Sequence, residues 1–479
     1  MYSPSGSHGR NLAIMITAEA VQKVLTLALF VLISRGLSVE DNGRYALFTT
    51  LFPLMVVWIN MGMYDVAVRD IARDPGAAGW LIGASLLLQG GLTFIGLFAL
   101  MMPVFMRSDP ELLVVALMVA LVGAMGRMPL APFAASGRFG PPALLQVLLR
   151  AAVLAVSAAA LWSGRGVLHL VGVLVVPYLL WLLAGTFWAR RAFELRVANR
   201  SVTAMPYLLR EGVPIATGGV FATLFFSMDL PLLGMYATPE ATGYYAIGAR
   251  FMWMLFPLVD ILTSVVYPVL SRKTGGADEG FALGRVFKAA WLLGLPIAAG
   301  GALLAKPITV LLAGGKFLPG AYAVGGLTVV LALFLVTSVA TVHLRARGRQ
   351  MVATIILAAA CAAKALIVLL SAGQGTTLLT VNLVVGALIA ALLVACAARN
   401  VTGFAWRETG GALLRAAAAA SVMALVLWPL REATPFLSIP LGACVYLTAA
   451  LALGAVDAWD RALVRAACGS PRSRRDQCE

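Results

Sequence analysis

The chain has 479 residues, of which 61% are hydrophobic and 12% charged, and its mean hydropathy is +0.92. So few charges cannot clothe a water-soluble body of this size, which excludes a soluble enzyme or a soluble binding domain. Thirty-six basic residues against 21 acidic ones give a net charge of +15; with no basic, aromatic-bearing domain outside the apolar runs, this surplus points to membrane topology and anionic headgroups, and nucleic acid is not expected as a partner.

In chain order, Met1 to Arg10 form a short polar tail. The run after it carries Glu19 and Lys23, which suit a cleavable signal poorly, so it reads as a retained first span. Apolar stretches of about 20 residues, the length that crosses a hydrocarbon core, then recur along the whole chain. They lie at 12–34, 44–64, 79–104, 111–133, 142–163, 166–188, 212–236, 244–269, 284–305, 318–342, 350–371, 377–398, 411–430 and 437–457. Two of the separations are short: Ser163-Gly164-Arg165-Gly166, and the stretch from Pro429 to Pro435. The expected fold is an all-α integral membrane protein of about 14 transmembrane helices, with no loop long enough for a catalytic domain.

The basic residues alternate between the two sides of these spans. With the N-terminus inside, 24 of the 36 fall in cytoplasmic segments, seven in external loops and five within spans. This asymmetry places both termini in the cytoplasm. The five cysteines, Cys361, Cys396, Cys444, Cys468 and Cys478, show no C-x-x-C spacing, so neither a disulfide nor a metal site is expected.

A short sequence repeats. Glu40-Asp41-Asn42-Gly43-Arg44-Tyr45-Ala46 returns 200 residues later as Glu240-Ala241-Thr242-Gly243-Tyr244-Tyr245-Ala246. Both copies carry Glu-x-x-Gly-x-Tyr-Ala in a polar break between long apolar runs. Six expected helices separate them, an even number, so the copies face the same way and the pseudo-axis runs along the membrane normal. The expected layout is an N-lobe over 1–188, a cytoplasmic linker over 189–211, a C-lobe over 212–398, two extra helices over 399–457 and a basic tail over 458–479. The two six-helix lobes would surround a central cavity.

Ionisable residues interrupt the apolar runs. They are Glu19, Lys23, Arg127, Arg150, Asp229, Arg250, Asp260 and Lys364, with Asp65 at the inner end of the second span. Each costs roughly 2.5–3.5 kcal/mol at a helix centre, so eight facing lipid would cost on the order of 20 kcal/mol. They should instead face each other or water. Alternatives remain open for several: Glu19 and Lys23 could pair locally at i,i+4, Arg150 and Arg250 could snorkel to an interface, and Arg127 suits an interface. The cavity candidates are Glu19, Lys23, Arg150, Asp229, Arg250, Asp260 and Lys364. Their surplus of cations points to an anionic substrate group such as phosphate or a sugar acid. The carboxylates could bind a coupling Na+ or H+; no other cofactor is expected. Pro53, Pro103, Pro231, Pro257 and Pro296 lie within the apolar runs, and Pro231, two residues after Asp229, frees backbone carbonyls beside it.

Ser227-Met228-Asp229-Leu230-Pro231-Leu232-Leu233-Gly234, followed by Gly243-Tyr244-Tyr245-Ala246 and Ala249-Arg250, resembles a paired motif of the polysaccharide flippases. These form the Wzx-like branch of the multidrug/oligosaccharidyl-lipid/polysaccharide exporter superfamily. Ser34-Arg35 with Glu40 to Tyr45 is similar to the family's first external loop, and Gly62 followed by Arg69-Asp70-Ile71-Ala72-Arg73 to its next segment. The resemblance implies an undecaprenyl-pyrophosphate-linked oligosaccharide as substrate, carried from the cytoplasmic to the external leaflet. It also implies membrane lipids, a polysaccharide polymerase and chain-length proteins as partners. Only Asp229 and Arg250 among the cavity candidates coincide with the motif, and Pro231 is not part of it.

An ATP-driven mechanism is not expected, since Gly314-Gly315-Lys316 lacks the first glycine of a phosphate loop where Val310 stands. Two rival readings are a cation-coupled drug exporter or peptidoglycan-precursor flippase of the same superfamily, and a membrane glycosyltransferase or polymerase. The latter rests on Asp109-Pro110-Glu111 alone and lacks a large external domain. No enzymatic activity is expected.

Overall fold

The computed structural model describes residues 7–99, 110–193, 202–259, 261–263, 270, 277–370, 375–399, 404, 406–432 and 434–456. Among the described residues the structure is helical throughout, with no strand. This is what a chain surrounded by lipid requires, because a helix satisfies its own backbone polar groups.

The helices are α1 (Ser7–Gly36), α2 (Val39–Asn60), α3 (Met63–Arg73), α4 (Ala78–Ala99), α5 (Pro110–Arg127), α6 (Ala131–Ala135), α7 (Gly140–Trp162), α8 (Gly166–Gly172) and α9 (Val175–Phe193). They continue as α10 (Met205–Ser227), α11 (Asp229–Tyr236), α12 (Pro239–Leu255), α13 (Ala277–Leu303), α14 (Ala305–Ala313), α15 (Ala321–Ala346), α16 (Gln350–Leu370), α17 (Gly375–Arg399), α18 (Trp406–Leu427) and α19 (Pro435–Ala452). Helix occupies each of the fourteen expected segments. Among the described residues, length and apolarity qualify ten as membrane-crossing, or eleven if the bent α2–α3 pair is one crossing. Within the expected spans near 350–371 and 377–398, the described stretches Met351–Leu366 and Leu383–Ala397 are apolar helix.

Two of the breaks within expected spans bear on the site. α2 stops at Met61 and Gly62, both with positive φ, and α3 leaves at 45°. Glycine takes that backbone freely; Met61 is the only non-glycine residue to do so among the described residues. α3 carries four ionisable residues in 11 and lies past the apolar stretch. The other break falls between Ser227 and Asp229. Pro231 has no N–H to give the Ser227 carbonyl, so the regular ladder is interrupted just before Asp229. Pro53 and Pro296, by contrast, lie inside continuous helices. Pro103 and Asp260 lie outside the described residues.

The chain forms two compact units. The first comprises Met1–Met254, Leu312–Ala323 and Gln350–Val385; the second comprises Leu255–Leu311, Val324–Arg349 and Gly386–Glu479. In the first unit, α2, α5 and α9 enclose a core that includes Ile59, Val119, Ala120, Tyr178 and Trp181. A Cβ at Gly126 would strike the Trp181 ring, so glycine is what lets α5 and α9 approach. In the second unit, α13 packs on α18 and α18 on α19. Tyr446 Oη donates to the Leu292 carbonyl at 2.9 Å, giving the buried hydroxyl its partner.

Candidate functional site

Both copies of the heptapeptide lie in the first unit, and each opens a helix. Ser38 Oγ accepts the Asp41 N–H at 3.0 Å at the start of α2, and Thr238 Oγ1 accepts the Ala241 N–H at 3.2 Å at the start of α12. These are N-caps, which supply an acceptor to an otherwise orphan donor. The repeated glycines then bring the two helix starts together. A Cβ on Gly43 would fall well inside contact with the Pro239 carbonyl oxygen, and one on Gly243 equally inside contact with the Val39 carbonyl oxygen. Val39 and Pro239 are equivalent positions, so the contact is reciprocal. Ala46 and Ala246 are fully buried beside it.

The repeated tyrosines meet opposite charges. Tyr245 is fully buried and donates from Oη to Asp229 Oδ2 at 2.8 Å. Asp229, at the first residue of α11, is 7% exposed and also pairs through Oδ1 with Lys364 Nζ of α16. Lys364 is 1% exposed; its ammonium donates to the Phe225 carbonyl at 2.7 Å and stands 4.6 Å over the Phe225 ring. One turn earlier on α16, Cys361 Sγ approaches the Phe221 carbonyl at 3.6 Å. Aspartate, lysine and tyrosine thus form a neutral, hydrogen-bonded set tying α10, α11, α12 and α16. At this depth neither charge is tolerable without the other.

Tyr45 instead lies under Arg250, whose guanidinium carbon is 5.1 Å from the ring centroid. Arg250 Nη1 donates to Asn42 Oδ1 at 2.6 Å and Nη2 to the Asn42 carbonyl at 3.5 Å. Among the described residues Arg250 Nε and Asn42 Nδ2 have no hydrogen-bond partner. Among the described residues no carboxylate pairs with Arg250. It is a cation held by a neutral amide and an aromatic face, and its guanidinium keeps donor capacity in a planar fork suited to phosphate.

The other candidates make no hydrogen bond or ion pair with this set among the described residues. Glu19 and Lys23 pair with each other on α1 at 3.1 Å, both about half exposed. Arg150 is exposed on α7, and Arg127 stacks 4.5 Å over the Tyr64 ring at the end of α5. Lys316 donates to the Arg35 carbonyl at 3.0 Å and to the Leu37 carbonyl, a structural role at the end of α1. Tyr245, Asn42 and Tyr45 were not singled out from the sequence as site residues, although the repeat that contains them was the signal.

Past the α2–α3 break, a second network joins α3 to α10. Arg69 donates from Nε to Asp70 at 2.9 Å, from Nη1 to Glu211 at 3.0 Å and from Nη2 to Tyr207 Oη at 3.1 Å, while Tyr207 Oη donates to Asp70 at 2.7 Å. Burial alone would raise the Asp70 pKa, but the hydrogen bonds from Arg69 and Tyr207 outweigh it and hold the carboxyl below its ordinary value. The same bond to Asp70 raises the Tyr207 hydroxyl. Gly62 and Gly212 meet beside this network, each too close to the other segment's carbonyl for a Cβ.

Comparison with known proteins places this geometry. No curated protein matches the sequence. The fold is similar to a solved structure of the lipid II flippase MurJ in an inward closed conformation, with a TM-score of 0.75, 15% identity, and coverage of 91% of this chain and 98% of that one. It is also similar to an inward-facing multidrug resistance MATE family transporter of the MOP superfamily (TM-score 0.63, 16% identity, 79% of this chain, 96% of that one). A eukaryotic MATE transporter matches with a TM-score of 0.55, 13% identity, and 82% and 97% coverage. Residues 8–273, over half of the chain, match the family described as polysaccharide biosynthesis protein. The chain therefore belongs to the polysaccharide biosynthesis protein family, as a multi-pass membrane protein with a fold it shares with solved flippase and MATE transporter structures.

Proposed function

We propose that the protein is a flippase that moves an undecaprenyl-pyrophosphate-linked oligosaccharide from the cytoplasmic to the external leaflet of a bacterial inner membrane, by alternating access, for cell-surface polysaccharide synthesis. The observation that carries this reading is Arg250. It sits on a membrane helix, is oriented by Asn42 and Tyr45, and among the described residues has no carboxylate to neutralise it. Such a cation is a receptor for a phosphate anion. The family match supports a polysaccharide precursor as the bearer of that anion.

Asp229, Lys364 and Tyr245 would serve coupling. Protonating Asp229 removes the charge that holds Lys364, releasing α16 from the α10–α11 break. Na+ would have to displace Lys364 from this one carboxylate, so H+ is the better fit. The reading assigns no bond-making step to the protein. It has both termini in the cytoplasm and a polysaccharide polymerase and chain-length proteins acting downstream.

The test is leaflet-resolved measurement of lipid-linked oligosaccharide in cells carrying wild type, Arg250→Ala or Asp229→Asn at matched expression. Accumulation in the inner leaflet is expected for both variants. Normal translocation in a deletion strain without a redundant flippase would overturn the flippase reading. Rescue of cells depleted of their peptidoglycan-precursor flippase would reassign the substrate to that precursor.

A further inference from the structure

The second unit holds a pocket of about 520 Å³ between the first turns of α13, the first turns of α18 and Gly454 just after α19. Four cations line it, Arg285, Lys288, Arg407 and Arg415, against one carboxylate, Glu408. All lie beyond residue 273, where the family match ends. The walls are built rather than splayed. Lys288 is 9% exposed, Arg285 lies 4.7 Å over the Phe281 ring, and Arg415 Nη1 donates to the Gly454 carbonyl at 3.3 Å. Arg407 stands in the first turn of α18, where the helix dipole disfavours a cation.

We propose that this pocket binds a phosphate ester. Its volume suits a headgroup larger than bare phosphate, and the side-chain donors and hydroxyl of Thr409 match phosphate oxygens. By the charge sidedness of the chain the pocket opens at the cytoplasmic surface, where anionic lipid headgroups are the abundant phosphate esters. A soluble phosphate ester would use the same contacts. The proposal is independent of the flippase reading, since no residue of the Asp229 or Arg250 groups takes part.

Two kinds of variant test it. Arg285→Ala with Arg407→Ala removes charge. Gly411→Leu fills the pocket and leaves the charges in place; a Cβ at Gly411 meets nothing within 4 Å, and leucine is a better helix former than glycine. Purified full-length protein in detergent is exposed to dioleoyl phosphatidylglycerol or dioleoyl phosphatidylcholine, and retained lipid is counted by native mass spectrometry. Parallel samples receive glycerol 3-phosphate, with thermal stabilisation as the readout. Wild type is expected to retain phosphatidylglycerol preferentially. The double alanine variant should lose about twenty- to thirty-fold of that retention, taking each basic residue near an anionic headgroup at about five-fold. Gly411→Leu should lose it as well. Stabilisation by glycerol 3-phosphate that disappears in the same variants, without lipid preference, would support the site with a soluble ester as its ligand. Equal retention in wild type and both variants, with no effect of glycerol 3-phosphate, would overturn the proposal.

Discussion

The two copies of the repeat share a backbone and oppose each other in charge. Each begins with a hydroxyl cap, crosses its partner at a glycine and buries a tyrosine two residues later. Around Tyr245 the neighbours are a carboxylate and a lysine; around Tyr45 they are an arginine and an asparagine. The frame is set by close backbone approach, which tolerates little change. The electrostatics are set by side chains arriving from elsewhere, and these are free to differ between the copies. One neighbourhood is self-neutralised, and in the other no carboxylate pairs with the arginine among the described residues.

The strongest break of this comparison is Lys364→Ala. It leaves Asp229 buried without its lysine and should destabilise the protein by about 3–5 kcal/mol, seen as a fall in thermal unfolding temperature in detergent. Asp229→Leu combined with Lys364→Met should recover most of that loss, because two apolar residues leave no charge stranded. A double variant worse than either single one would show that the pair is not the unit described here. The frame itself can be tested next. Gly43→Ala and Gly243→Ala should each cost about 1–3 kcal/mol, and by similar amounts, since each adds a Cβ against the other copy's carbonyl. Gly410→Ala, in open space on α18, provides the contrasting substitution without loss.

The tyrosines separate the copies more finely. Tyr245→Phe removes a hydrogen bond to a charged carboxylate and should cost about 1.5–3 kcal/mol. Tyr45→Phe keeps the ring under Arg250 and should change stability by less than about 0.5 kcal/mol. Equal losses would erase the asymmetry. The smallest effect belongs to the network at the α2–α3 break. The Asp70 carboxyl is held below its ordinary value of 3.8, so its contribution is complete above that pH and is lost as pH falls through the lower, folded value. The thermal unfolding temperature should therefore fall more between pH 5 and about pH 3 in wild type than in Tyr207→Phe.

Much of this was readable before any coordinates. Composition marked the membrane, the repeat marked the frame, and the motif marked Asp229 and Arg250. Glu19 and Lys23 behave as the i,i+4 spacing allows. What could not be read was partnership across the fold. Lys364 reaches Asp229 only because α16 packs on α10, and no local pattern encodes that meeting. Tyr245 lay inside the repeat, yet its role depends on where Asp229 arrives. The bend at Met61-Gly62 falls inside the stretch read as one span over 44–64, because a methionine with positive φ has no sequence signature. Helix stands in each of the fourteen apolar runs read from the sequence, because a run of about 20 apolar residues has few other ways to satisfy its backbone in lipid.

The neutrality of the Asp229–Lys364 pair also has an electrical consequence. A closed ion pair moved through the membrane field does no net work against it, whereas a lone guanidinium carried across 100 mV exchanges about 2.3 kcal/mol with that field. Any voltage dependence of helix movement in the first unit should therefore be read at Arg250, and the pair should begin to sense voltage only once a proton has parted it.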